Sequence, residues 1–256
     1  GNELWIVQPK NGIEIYELQN DTIAVYKKTV LKDLQPGNIL IDREGNTWIS
    51  TLGNGLFFLT NQASAIRVLQ KANGLSENTI NSILATDDHL VTGNRSNILE
   101  FFSSDQTGMT SLTRRKQLRD RPEFSITNRI LKIVSNAPGR YFLATDLGLI
   151  HYKQGFEQLI LSEAIKNLKF SVNGDLVISS HRGVRKISAH NLDSLTAKPV
   201  YWDQDLKRSS FIELAISGRS YASIIDLSGN IWAHTIAKGL VQFTPTDTIY
   251  WQERDP

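Results

Sequence analysis

Short runs of apolar and β-branched residues recur along this chain, parted by glycine, asparagine and aspartate, and none keeps a helical period for long. In one stretch, Asn38 to Ile41, Thr47 to Thr51, Gly55 to Thr60 and Ile66 to Gln70 read as four strands, the first two joined by a turn at Glu44-Gly45-Asn46. Glycine and asparagine supply the positive φ that tight hairpin turns need, and the runs between them alternate inward and outward as strands do. The pattern predicts one four-stranded antiparallel unit here and helical content close to nil. The clearest candidate helix, Glu163 to Asn167, is too short to propagate alone.

The unit repeats. Ile41-Asp42-Arg43-Glu44-Gly45-Asn46-Thr47-Trp48 and Ile225-Asp226-Leu227-Ser228-Gly229-Asn230-Ile231-Trp232 share their spacing. Each is followed, three residues after the Trp, by a Thr (Thr51, Thr235), and seven after it by a Gly (Gly55, Gly239). A third copy, Gly1-Asn2-Glu3-Leu4-Trp5, leads to Gly12-Ile13 at the same distance, and weaker copies centre on Leu90, Phe142 and Val177. Trp5, Trp48, Leu90, Phe142, Val177 and Trp232 are thus equivalent positions, about 45 residues apart on average.

A single sheet of this kind cannot bury both faces, whereas such repeats arranged radially bury each face against the next. The expected fold is all-β, a β-propeller of about six four-stranded blades, with six to seven blades or an incomplete ring as alternatives, forming a single domain over 1–256. The approximate blades are 1–33, 34–73, 74–117, 118–161, 162–206 and 207–256. The Trp position is expected on each second strand, packed between blades. The first unit supplies three strands, and its unpaired edge points to a homodimer or to the remaining blades of a longer receptor as partner.

The Ile-Asp-x-x-Gly-Asn-x-Trp motif with its Thr and Gly-Leu sequel resembles the two-component regulator propeller repeat. Asn73-Gly74-Leu75-Ser76-Glu77-Asn78-Thr79-Ile80-Asn81-Ser82-Ile83 looks like that family's blade-to-blade linker, and Thr127-Asn128-Arg129-Ile130 is a weaker echo of it. The resemblance implies an extracytoplasmic, periplasmic ligand-sensing or interaction module of a bacterial two-component signalling receptor. It implies a non-catalytic role, with a carbohydrate or other small polar ligand. A leading Gly1 that resembles a protease scar suggests an excised piece of a larger protein.

Composition narrows the chemistry. A formal net charge of +2 is too small an excess to imply nucleic acid, and no apolar window is long enough for a membrane helix, so no membrane contact is expected. The absence of cysteine excludes disulfides, thiolate metal sites and cysteine nucleophiles. The five histidines (His89, His151, His181, His190, His234) show no metal-ligand spacing, so no cofactor or metal is expected. The repeated motif is also similar to the Asp-box of sialidase propellers, but the arginine triad and Tyr/Glu pair those enzymes need do not assemble here. Asp42 and Asp226 read as turn formers. The stretch Ser103 to Thr127 is the longest interruption and reads as an outer strand plus an exposed excursion; the basic run within it, Arg114, Arg115, Lys116, Arg119, Arg121, diluted by Asp120 and Glu123, reads as a solvated loop.

Propeller ligands usually meet the loops joining second to third strands and fourth to first. On this register, a small polar ligand would be met by Lys10, Asn54, Arg95, Asp146, Arg182 and Lys238. A carbohydrate-active propeller enzyme, a lyase or glycosidase, is the alternative, and it requires acid, base and arginine to cluster. A purely structural spacer is the third reading.

Overall fold

In the repeated motif a single carboxylate locks a hairpin. Asp42 accepts from the Asn46 backbone at 2.8 Å, from the Asn46 amide at 3.1 Å and from the Trp48 indole Nε1 at 2.8 Å. Asp226 repeats the pattern with the Asn230 backbone and amide, both at 2.9 Å, and the Trp232 indole at 2.9 Å. The indole bond holds the Asp226 carboxyl below its ordinary range, with the Asn230 amide adding to the effect. Both aspartates are structural.

The computed structural model describes residues 3–8, 10–19, 23–43, 45–59, 66–86, 89–104, 110–118, 128–197, 213–226, 228–244 and 246–251. They form two compact units, residues 1–117 and 118–256. The first unit holds a three-stranded blade of β1 (Glu3–Gln8), β2 (Gly12–Gln19) and β3 (Ile23–Val30). The second blade is β4 (Pro36–Ile41), β5 (Thr47–Thr51), β6 (Leu56–Leu59) and β7 (Ile66–Leu69). The third is β8 (Ile80–Ala85), β9 (Leu90–Asn94), β10 (Ile98–Ser104) and β11 (Thr110–Gln117).

The second unit begins with the fourth blade, β12 (Ile130–Ala137), β13 (Arg140–Thr145), β14 (Leu149–Lys153) and β15 (Phe156–Leu161). The fifth is β16 (Ile165–Phe170), β17 (Leu176–Ser180), β18 (Gly183–Ile187) and β19 (Glu213–Ser217), with helix α1 (Ala189–Thr196) between its last two strands. The sixth is β20 (Ser220–Ile225), β21 (Ile231–Thr235), β22 (Gly239–Phe243) and β23 (Thr248–Trp251). Every blade is an antiparallel meander, and the fold class is the β-propeller.

The six Trp-equivalent residues fall on β1, β5, β9, β13, β17 and β21, the second strand wherever four are present. Trp48 is buried against Phe58, its cross-strand partner, at 4.1 Å between ring centroids. It clusters with Leu75 of the linker and with Ile80, Ile83, Leu90 and Phe102 of the next blade. Strands β5 and β17 are buried on both faces because each lies between neighbouring blades, so Thr-Trp-Ile-Ser-Thr and Leu-Val-Ile-Ser-Ser do not alternate apolar with polar. In the second unit, Val177 and Val184 pack against Ile231, Ala233 and Val241 of the sixth blade.

As expected, the Glu163 to Asn167 stretch forms no helix; it leads into β16. Two expectations are corrected. Among the described residues an α-helix, α1, interrupts the fifth blade; its N-terminus is capped by Ser188 Oγ accepting from the Asn191 N–H at 3.2 Å, with Leu192 and Leu195 buried. Because α1 intervenes, the fifth blade takes its fourth strand from Glu213–Ser217, beyond the boundary drawn at 206. The described part of the basic run is strand rather than loop: Arg114, Arg115 and Lys116 lie on β11, the outer strand expected within Ser103 to Thr127, with Arg115 paired with buried Glu100 at 2.7 Å. Arg119, Arg121 and most of the interruption lie outside the described residues.

The Thr and Gly of the repeat have one shared purpose. Thr51 Oγ1 donates to the Gly55 carbonyl at 2.7 Å and accepts from the Asn54 N–H at 3.0 Å, which clamps the β5–β6 turn. Gly55 has φ +86°, and a Cβ there would lie 2.1 Å from the Leu69 carbonyl oxygen. Gly55→Ala is expected to cost about 2 kcal/mol or more in urea unfolding, from the clash added to the left-handed strain. Gly53→Ala, with φ +117° but open space around the added carbon, should show only the conformational part, about 1 kcal/mol.

Candidate functional site

Each of the six sequence-predicted residues lies in the loop after its blade's Trp-equivalent strand. Lys10 lies between β1 and β2, Asn54 between β5 and β6, and Arg95 between β9 and β10. Asp146 follows β13, Arg182 follows β17 and Lys238 follows β21. The innermost strands carry a feature that no motif announces. In β4, β8, β12, β16 and β20 the pairing to the second strand slips at the start of the strand, between Pro36/Ile39, Ile80/Ser82, Ile130/Lys132, Ile165/Asn167 and Ser220/Ala222. Such bulges re-aim side chains at a sheet's rim, beside these same loops.

In the first unit, Lys10 is exposed with φ +70°, and Arg95 is exposed with no side-chain partner among the described residues. Asn54 is half-buried; its carbonyl accepts from Gln70 Nε2 at 3.1 Å. The linker is stitched to these loops. The Asn78 carbonyl accepts from Gly55 N at 2.8 Å, Asn94 Nδ2 donates to Ser76 Oγ at 2.8 Å, and Ser96 Oγ donates to Glu77 at 2.6 Å. Beneath it, buried Glu100 accepts from the Ser76 N–H and from Arg115 Nε, both at 2.9 Å.

In the second unit, the second-to-third-strand loops and the fourth-to-first connection share a network of charge. Arg129 grips Asp146 with both arms, Nε at 2.7 Å and Nη2 at 3.0 Å, and its backbone N–H adds a contact at 3.2 Å. Lys166, the residue at the β16 bulge, stands 3.5 Å from the same carboxylate. Burial alone would raise the Asp146 pKa, but the Arg129 hydrogen bonds and the two cations outweigh it and hold the carboxyl below its ordinary range. Glu163, only 2% exposed, meets Arg185 in a close ion pair and Arg182 at 3.7 Å. Arg182 keeps two thirds of its side chain in solvent. Lys238 Nζ is turned onto Tyr250, 4.9 Å from the ring centroid, and donates to Ser217 Oγ at 3.2 Å.

Asp146 and Lys238 therefore have partners within the second unit, where Arg182 keeps most of its charge in solvent; in the first unit Lys10 and Arg95 have no side-chain partner among the described residues. Sequence reasoning missed Arg129, Glu163, Lys166 and Arg185. Arg129 was visible only as part of the weaker linker echo, where Asn128 Oδ1 accepts from the Leu147 N–H at 3.2 Å. Nothing local marks Glu163 as buried. In the second unit these loops offer donors and positive charge, with Asp146 and Glu163 already neutralised.

No family model matches the chain, and no curated protein matches it. Solved structures do. The extracellular domain of a hybrid two component system from B. thetaiotaomicron superposes with TM-score 0.67 at 19% identity, over 95% of this chain and 32% of that one. The extracellular domain of a one component system from the same organism gives 0.65 at 17% identity, over 99% and 39%. The chain has the fold of the matching part of these extracellular domains. It spans about a third of their length. The propeller is shared just as well with an enzyme, since virginiamycin B lyase from Staphylococcus aureus gives TM-score 0.67 at 11% identity over 99% of this chain and 82% of that one. Among the described residues, no helix is long and apolar enough to cross a membrane.

Proposed function

We propose that this propeller is a ligand-sensing or interaction module from the extracytoplasmic, periplasmic part of a bacterial two-component receptor. It recognises a carbohydrate or other small polar ligand at the loops after its second strands, without turning it over. The observation that carries the reading is the likeness to two receptor ectodomains over nearly all of this chain. The state of the acidic groups supports the non-catalytic part. A glycosidase needs one carboxyl kept protonated near neutral pH, and a lyase needs a free base. Asp146 is held ionised by Arg129, and Glu163 is closed off between Arg182 and Arg185. The lyase likeness favours the enzyme reading only at the level of fold.

A thermal-shift screen against neutral and acidic oligosaccharides tests the proposal. A ligand at a hundred times its Kd should raise the Tm by roughly 5 °C. Arg182→Ala should abolish that shift without lowering the unliganded Tm by more than about 2 °C, because the side chain is largely exposed. A screen in which no sugar moves the Tm, or in which Arg182→Ala leaves the shift intact, overturns the proposed face.

A further inference from the structure

At the other end of β17 from the Arg182 loop, the β16–β17 and β20–β21 hairpins of the second unit enclose a cavity of about 320 Å³. Its lining is part apolar, from Val177, Ile225, Ile231 and Phe243, and part polar, from Asn173, Asp175, Lys186 and Ser228. That size lies at the small end of ligand sites. Two of the polar side chains, Asn173 and Ser228, make no hydrogen bond among the described residues; the Ser228 backbone N–H is the part that holds the hairpin, on Asp226 at 3.0 Å. The Asp175 carboxylate is divided: Oδ1 accepts from the Ala189 N–H at 3.0 Å in the first turn of α1, and Oδ2 stands 3.8 Å from Lys186 Nζ. Both groups keep part of their surface in solvent.

We infer that this cavity is a second binding site, distinct from the Arg182 face, for a neutral hydroxylated molecule of single-ring size. Asp175 and Lys186 neutralise one another, so a ligand with net charge would set a like charge against one of them. The rim offers acceptors and donors together: a carboxylate oxygen, an ammonium, an amide and a hydroxyl. Ring hydroxyls both donate and accept, and can bridge Asp175 Oδ2 and Lys186 Nζ while their own ring lies on Phe243 and the isoleucines. A zwitterion would have to part the ion pair and would leave Asn173 and Ser228 unused.

Saturation-transfer NMR and calorimetric titration of the whole chain with methyl glucoside, methyl galactoside and myo-inositol test this, with leucine and sulfate as rivals. At least one polyol should bind saturably. Asp175→Asn should weaken it roughly tenfold or more, since a hydrogen bond to a charged acceptor is lost; the amide oxygen can still cap α1, so the melting curve should hold. Should that variant melt early, Ser228→Ala, which leaves the hairpin's backbone bonds in place, should weaken binding about threefold to tenfold. Arg182→Ala should leave polyol binding unchanged, which separates this site from the proposed sensing face. The inference is overturned if no polyol binds saturably, if only leucine or sulfate binds, or if the variants that keep their fold also keep wild-type affinity.

Discussion

Arg185→Ala is expected to lower the stability of the chain by about 3 kcal/mol or more, read as a fall in the urea midpoint at unchanged slope. Glu163 is 2% exposed and Arg185 17%, so removing the guanidinium leaves a carboxylate with little water to replace it. Arg182, at 3.7 Å and mostly in solvent, recovers only a fraction. Replacing both partners together, Glu163→Leu with Arg185→Met, should restore most of the loss, because breaking a buried pair costs more than omitting it. A loss below about 1 kcal/mol would show that Glu163 is hydrated in solution, and the closed carboxylate used above against catalysis would have to be given up.

The second large effect is a loss of stability in mild acid that traces to one histidine. His151 is buried on β14, stacked on Phe142 at 5.0 Å, and its Nε2 has no hydrogen-bond partner among the described residues. Burial, with Arg140 adding positive charge nearby, pulls its pKa from 6.5 to about 4. The unfolded chain therefore takes up a proton as the pH falls below about 6.5, while the folded chain refuses it until about 4. Stability is complete above this window and declines through it as acid is added. The span corresponds to about 3 kcal/mol, of which about 2 kcal/mol falls between pH 7 and pH 5. Urea midpoints at those two values for wild type and His151→Leu should differ in their pH dependence by that amount. Equal dependence in both proteins would mean that His151 takes up its proton in the fold as readily as in the unfolded chain. The depressed carboxyls of Asp146 and Asp226 act in the same direction at lower pH, below the ordinary carboxylate range, and leave this window to the histidine.

What the sequence disclosed and what it hid divide by range. The Asp42 and Asp226 turns, the Thr51 clamp and the Gly55 corner are interactions within about seven residues, so identical chemistry recurs as identical spacing. The strand order within each blade follows from those turns. The helix was hidden because eight residues give only two buried leucines three apart, a pattern that a strand-rich chain readily masks. The innermost-strand bulges were hidden because a register slip leaves no mark on composition; it is imposed by the neighbouring strand. Of the candidate face, the loop positions were legible from the register alone. Which of their side chains have partners was not, since Asp146 meets Arg129 and Lys166 across 17 and 20 residues and Glu163 meets Arg185 across 22. Those encounters depend on how blades and loops stack, and they decide which charges remain for a ligand.

Capture of ligand from a mixture tests the central claim most directly. Neutral and acidic oligosaccharides are passed over the immobilised chain at neutral pH, and the retained and flow-through fractions are identified by mass spectrometry after minutes and after a day. Recognition without turnover predicts a discrete retained species, released intact, unchanged in amount with time and lost from Arg182→Ala. Retention of nothing, or a steady accumulation of shortened or unsaturated products, would contradict it.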